Sequence, residues 1–152
     1  MLSENLPAPT FSLQDKDGNF HFLKTNAKYL VLYFYPKDDT PGCTIEAIEF
    51  SKHILDLKKL GAEVIGISGG DNVSKKKFCS KYNLSVTLVS DPDFVVSKLY
   101  GVYGEKSFMG KKFYGIKRTT FIISQERIIK IFENVKPQDH VQEIISFLQN
   151  LS

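Results

Sequence analysis

Three times between residues 31 and 101 a short apolar run gives way to a stretch with helical signals, and this alternation restricts the fold more than any other property of the sequence. Val31-Leu-Tyr-Phe-Tyr35 reads as a buried strand. A breaker cluster, Pro36 to Gly42, separates it from a long helical segment with apolar residues at Ile45, Ile48, Ile54, Leu55, Leu57 and Leu60. Gly61 ends that helix, Glu63 to Ser68 supplies a second strand, and Asn72 to Tyr82 predicts a Lys-rich helix closed by Asn83. Thr87 to Ser90 is a third strand, followed after Asp91-Pro92 by a helix ending near Tyr100-Gly101. Strands that alternate with helices pair in parallel through right-handed crossovers. Thr119 to Ile123 and Arg127 to Phe132 are too close for a crossover and imply an antiparallel hairpin, although Ser124-Gln-Glu-Arg127 lacks the Gly or Asn such turns favour. Between these regions a Gly- and Lys-rich loop is expected through Gly115, and Gln138 to Asn150 predicts a terminal amphipathic helix. At the N-terminus, Phe11-Ser-Leu13 and Phe20 to Leu23 flank the turn signal Lys16-Asp-Gly-Asn19. The class is α/β: a central mixed β-sheet flanked by helices, with an N-terminal β-hairpin.

With 152 residues and 42% hydrophobic composition, the chain can bury roughly 70% of its unfolded surface in one core, so residues 1–152 are expected to form a single domain. Disorder and a disulfide scaffold are excluded as overall descriptions. A net charge of +3 argues against a polyelectrolyte-binding protein. The longest strongly apolar run, Tyr29 to Tyr35, is far short of the roughly 20 residues a membrane helix needs. No Lys or Arg precedes Lys16, and Pro7 and Pro9 stand where a signal peptide would be apolar, so secretion and transit signals are disfavoured and a cytoplasmic location is expected. In that compartment Cys43 and Cys79, 36 positions apart, are expected as reduced thiols.

Read with the capping rules, Thr40 is an N-cap, Pro41 takes N1, Gly42 N2 and Cys43 N3. The sulfur then falls in the first turn of a helix, where unpaired N–H groups and the helix dipole favour an anion, a recognised route to a low-pKa thiolate. Ionisation alone brings little. At a reference pKa near 8.5 roughly 3% of a thiol is already ionised at pH 7, so full ionisation gains at most about 30-fold. Lower intrinsic nucleophilicity takes back roughly tenfold. A fast cysteine enzyme must also stabilise the charge on the leaving group with fixed donors. Taken singly, each residue of the region has a plainer reading: Cys43 and Cys79 as small buried residues, Thr40 as a cap, Pro36 as a loop proline, Glu46 as a first-turn acid and Arg118 as a surface cation.

Pro36, Thr40 and Cys43 in the spacing P-x-x-x-T-x-x-C resemble the active-site signature of the peroxiredoxins. Phe34 to Cys43, Val96 to Lys106 and Gly115 to Phe121 resemble the bacterioferritin-comigratory-protein, or peroxiredoxin Q, branch. With Leu6-Pro-Ala-Pro9 and Lys136-Pro137 the resemblance covers essentially the whole chain. It implies a thioredoxin-like fold and reduction of hydrogen peroxide or organic hydroperoxides, in antioxidant defence, without metal or other cofactor. It also implies roles: Cys43 as peroxidatic nucleophile, Arg118 holding thiolate and peroxide, Thr40 presenting its hydroxyl to them, Pro36 shielding the pocket and Glu46 orienting the arginine.

The chain departs from the branch where many members carry a second cysteine five residues after the first; Ile48 stands there. The resemblance leaves Cys79 as resolving cysteine, on the next helix. A bridge needs Cα atoms within about 7 Å, so the turns around both cysteines are expected to unwind on oxidation. Thioredoxin or a glutaredoxin-like protein would be the reductant, and a monomer is expected rather than a dimer. A one-Cys peroxidase with Cys79 as a packing residue remains the alternative. A thioredoxin-like disulfide oxidoreductase would want C-x-x-C, but Glu46 occupies the second position. His21, His53 and His140 are expected as surface or helix-face residues rather than hydrolase bases, and no Cys or His spacing matches a closed zinc site. A non-enzymatic alternative, nucleic-acid or surface binding through Lys75-Lys-Lys77, Lys81, Lys111-Lys112, Lys117 and Arg118, is outweighed by the net charge of +3, which favours a solvated helix face. Ser68-Gly-Gly-Asp71 lacks the pattern of a phosphate loop.

Overall fold

The structure, a computed structural model, describes residues 2–151. Its strands are β1 (Ser12–Asp15), β2 (Phe20–Phe22), β3 (Tyr29–Phe34), β4 (Ala62–Ser68), β5 (Thr87–Ser90), β6 (Tyr103–Phe108), β7 (Lys111–Ile116), β8 (Thr119–Ser124) and β9 (Arg127–Phe132). The helices are α1 (Pro41–Lys52), α2 (Ile54–Lys59), α3 (Asn72–Tyr82), α4 (Val95–Leu99) and α5 (His140–Leu151). Seven strands form one sheet in the order β2-β1-β5-β4-β3-β8-β9, parallel across β3–β4–β5 and antiparallel elsewhere. The mixed sheet follows from the connections, because helical crossovers join the parallel strands and tight turns join β1–β2 and β8–β9. The N-terminal hairpin is present and is annexed to the sheet through β1–β5.

β3 explains the layering. Every residue of it is buried, and alternate side chains serve opposite layers. Tyr29, Val31 and Tyr33 pack with Cys43, Ala47, Phe50, Phe78, Cys79 and Ile144, from α1, α3 and α5. Leu30, Leu32 and Phe34 pack with Phe11, Val96, Tyr100 and Phe121 on the other side. Both cysteines therefore lie in one layer. Gly66 permits this packing: a Cβ there would stand 2.6 Å from the Tyr33 ring.

The structure corrects several expectations. The helix after the breaker cluster is two helices interrupted at His53, and the buried stripe of α1 is Cys43, Glu46, Ala47 and Phe50. These positions follow i, i+3, i+4, i+7, whereas Ile45 and Ile48 lie off the stripe and are each 38% exposed. The loop expected through Gly115 is largely the β6–β7 hairpin, closed at Met109-Gly110 with both residues at positive φ. Its strands are mostly exposed, so no alternation of apolar and polar residues advertises them. The β8–β9 turn holds Gln125 and Glu126 at φ 51° and 62°, so pairing of the strands imposes on ordinary residues a conformation usually given to Asn or Gly. Lys75 is fully buried rather than solvated, and of the two placements expected for His140, surface or helix face, the structure shows the second, on the buried face of α5.

Candidate active site

Pro41 opens α1, and Thr40 flanks it with extended backbone and a carbonyl that accepts from the Thr44 N–H (2.8 Å). Cys43 accordingly sits in the first helical turn, its side chain almost completely buried. Thr40 departs from the capping reading in one respect. Its hydroxyl makes no cap bond to the helix and donates instead to the Lys37 carbonyl (2.9 Å), within the loop that carries the residue to the edge of the site. Pro36, half-buried, starts that loop directly after the buried Tyr35.

Arg118 stands one residue before β8, which pairs antiparallel with β3 so that Thr119 lies opposite Phe34, at the same carboxyl end of β3 from which the Cys43 loop leaves. Its backbone carbonyl accepts from the Val135 N–H (3.2 Å), which fixes the base of the side chain. One guanidinium nitrogen, Nη2, donates to Cys43 Sγ at 3.3 Å, and the other, Nη1, donates to Glu46 Oε1 at 2.7 Å. Cys43, Glu46 and Arg118, separated by up to 75 positions, thus form one hydrogen-bonded unit. The planar fork of arginine suits this task, since it can serve sulfur and carboxylate at once.

Glu46 is completely buried, and its Oε2 has no hydrogen-bond partner among the described residues. Burial lifts its carboxyl to about 7, against the opposing pull of Arg118. For Arg118, burial works against the charge, but Glu46 and Cys43 outweigh it and hold the guanidinium more firmly protonated than usual. Gly42 makes the close approach possible, because a Cβ at that position would stand 3.0 Å from Arg118 Nη2 and 3.3 Å from Pro137 Cγ.

Two groups near the site had no distinguishing sequence signal. Lys106 on β6 donates to the Ile116 carbonyl (2.9 Å), and burial, then repulsion from Arg118, lowers its ammonium pKa. His140 at the start of α5 lies 2.7 Å from Thr120 Oγ1 and 3.0 Å from Glu143 Oε1, and burial holds its pKa below the usual range. Their positions come from β-pairing and helix docking across the chain, which no local motif encodes.

Cys79 is not part of the Arg118 unit. It is a free thiol in the buried face of α3, in the same layer as Cys43, and burial pushes its pKa up. Among the described residues no group of three or more His, Cys, Asp or Glu side chains is placed to hold a metal ion.

A buried sulfur at a helix start, facing a guanidinium that a buried carboxylate orients, can deliver a nucleophile and meet negative charge developing beside it. The sequence profile of the AhpC/TSA family matches residues 5–132. A putative peroxiredoxin bcp of Helicobacter pylori (strain J99) is 43% identical over 143 residues, covering 93% of this chain and 94% of that protein. Peroxiredoxin Bcp of Escherichia coli (strain K12) is 39% identical over 144 residues, with 93% and 92% covered. Among solved structures, Xanthomonas campestris peroxiredoxin Q superposes with a TM-score of 0.85 at 34% identity, covering 92% of this chain and 90% of that one. Peroxidoxin BcpB of Mycobacterium tuberculosis does so at 0.88 and 26%, covering 100% and 99%. By sequence along nearly its full length, and by fold, the chain belongs to the AhpC/TSA family, as a peroxiredoxin of the Bcp, or peroxiredoxin Q, group.

Proposed function

We propose that the chain, acting as a single thioredoxin-like peroxiredoxin domain over residues 1–152, reduces hydroperoxides with Cys43 as peroxidatic cysteine. The observation that carries this reading is the Arg118 fork, one arm on Cys43 Sγ and the other on buried Glu46. The Cys43 thiolate attacks one peroxide oxygen and forms an S–O bond as the O–O bond breaks. The departing oxygen leaves with the electron pair and takes a proton to become water or an alcohol, and Cys43 is left as a sulfenic acid. Arg118 is suited to hold the thiolate and meet the charge on the departing oxygen. Pro36 and Thr40 would line the approach, with the Thr40 hydroxyl turning from Lys37 to the peroxide. Alkyl peroxide reduction is recorded for the bacterioferritin comigratory protein of Xanthomonas campestris, 33% identical, and we extend it to this chain alongside hydrogen peroxide.

In the second half-reaction Cys79 attacks the Cys43 sulfenic acid, an S–S bond forms, the S–O bond breaks, and hydroxide leaves to take up the Cys79 proton as water. Supporting this, serine variants of the Xanthomonas peroxiredoxin Q have been made at two cysteines 36 positions apart, the separation of Cys43 and Cys79 here. Thioredoxin or a glutaredoxin-like protein would return the bridge to thiols. We further propose a cytoplasmic monomer; among the described residues no helix is long and apolar enough to cross a membrane. One observation favours the one-Cys alternative, in which Cys79 only packs: its thiol is buried and harder to ionise than usual.

Peroxide consumption with thioredoxin in wild type, Cys43→Ser and Cys79→Ser tests both steps. The two-Cys reading expects no turnover from Cys43→Ser, and from Cys79→Ser one stoichiometric oxidation with poor recycling. Undiminished thioredoxin-dependent turnover in Cys79→Ser would leave the one-Cys reading in its place, and turnover in Cys43→Ser would end the proposal.

A further inference from the structure

Two adjacent aspartates in the loop that leads into the Cys43 helix reach across to α3 and hold it on either side of Cys79. Asp38 reaches the N-terminal side. Its Oδ2 accepts from Lys75 Nζ (3.0 Å) and Ser74 Oγ (2.7 Å), and its Oδ1 from the Tyr35 hydroxyl (2.6 Å) and Ser68 Oγ (3.4 Å). Lys75, four residues before Cys79, is 0% exposed and donates also to Ser68 Oγ (2.8 Å) and the Gly69 carbonyl (2.6 Å). Asp39 reaches the C-terminal side. It accepts from Lys81 Nζ (2.8 Å) and the Tyr82 hydroxyl (2.7 Å), two and three residues after Cys79, at an exposed position. The chemistry of peroxide attack uses none of these groups.

The two contacts differ in what opening them costs. The Lys75–Asp38 pair is buried with every ammonium hydrogen engaged, and parting it would strand two desolvated charges. The Asp39 contact is open to water, which takes over its hydrogen bonds as they break. A helix held this way gives at its outer end first. Resting on the two-Cys reading, we infer that Lys75 and Asp38 are positioning residues that form the fixed pivot of α3, and that Asp39 with Lys81 and Tyr82 is the releasable latch whose opening frees residues 76–82 to carry Cys79 to oxidised Cys43. Asp38, the loop half of the pivot, lies in the segment that leads into the Cys43 helix, so both sulfurs are referred to one anchor while the bridge forms. No oxidant beyond the peroxide already reduced is needed.

The test leaves the Asp39 backbone undisturbed, since that residue stands at φ 58° and a replacement there would add strain of its own. Lys81→Met/Tyr82→Phe removes both partners of Asp39 while keeping helix-forming residues and the ring that packs against Phe78. After one equivalent of hydrogen peroxide, rapid-quench alkylation and mass spectrometry would follow the Cys43 sulfenic acid and the Cys43–Cys79 bridge separately. The expected result is bridge formation about two- to fivefold faster than wild type, the span corresponding to loss of an exposed charged contact, with the rate of Cys43 oxidation unchanged. Hydrogen exchange supplies a readout that general loosening would not match: on oxidation, amides of 76–82 become labile while those of Ser74 and Lys75, both bonded to Asp71, remain protected. An unchanged bridging rate, or loss of protection at Ser74 and Lys75 as well, would overturn the pivot and latch but leave the two-Cys reading standing. A wild type that forms no Cys43–Cys79 bridge would remove that reading and the latch together.

Discussion

Glu46→Gln should make the protein more stable as the pH rises, relative to wild type, and the size of the effect follows from the site. The buried carboxyl titrates near 7 in the folded chain against an ordinary value of 4.5, because burial disfavours its anion more than Arg118 favours it. A group whose folded value is raised binds more protons folded than unfolded, so its contribution to stability is full below 4.5 and is lost as pH climbs through 7. The gap between those values, at about 1.4 kcal/mol per pH unit, amounts to about 3 kcal/mol. Glutamine cannot ionise, and its carbonyl can still accept from Arg118 Nη1. The chain has no Trp, so urea unfolding is best followed by far-UV circular dichroism, under reducing conditions, at pH 5, 6, 7 and 8. The stability of Glu46→Gln minus that of wild type should rise by about 2 to 3 kcal/mol across the series. His140, whose folded value is lowered, acts in the opposite direction near its ordinary 6.5 and cancels in the difference. Parallel curves would refute the reasoning, since they would mean that the Arg118 ion pair fully offsets burial.

Arg118→Lys keeps a cation but cannot bond Sγ and Oε1 in a plane, and the rate of Cys43 oxidation should fall about 10²–10³-fold with folding intact, measured by competition for limiting peroxide; a change under threefold would remove arginine from the mechanism. Gly42→Ala places a Cβ 3.0 Å from Arg118 Nη2 and should slow the same step about tenfold while the melting temperature holds or rises, because alanine favours the helix. Loss of rate accompanied by loss of stability would instead point to a distorted helix start.

Much of the architecture was legible because it is written locally. Breakers at Pro36 to Gly42, the αL residue Asn83 and the short spacing between β8 and β9 mark element ends within a few residues, and the bounds of α3 and β5 agree with their sequence reading. Cys43 could be singled out for the same reason, since Pro41 and the turn before it put the sulfur in the first turn whatever the rest of the chain does. The β6–β7 hairpin was illegible because strands standing away from the core need no apolar face.

The sequence by itself determined the alternation of elements and the helix-start position of one thiol, both consequences of backbone preferences acting over a few residues. Only the tertiary structure decided that Arg118 reaches Cys43 from 75 positions away, that Lys75 alone of three successive lysines is buried on Asp38, and that Ile45 and Ile48 yield the core to Glu46. Those outcomes depend on which strands adjoin and on what each burial costs in desolvation. Residues distant in the chain meet that cost together, and no stretch of sequence carries it alone.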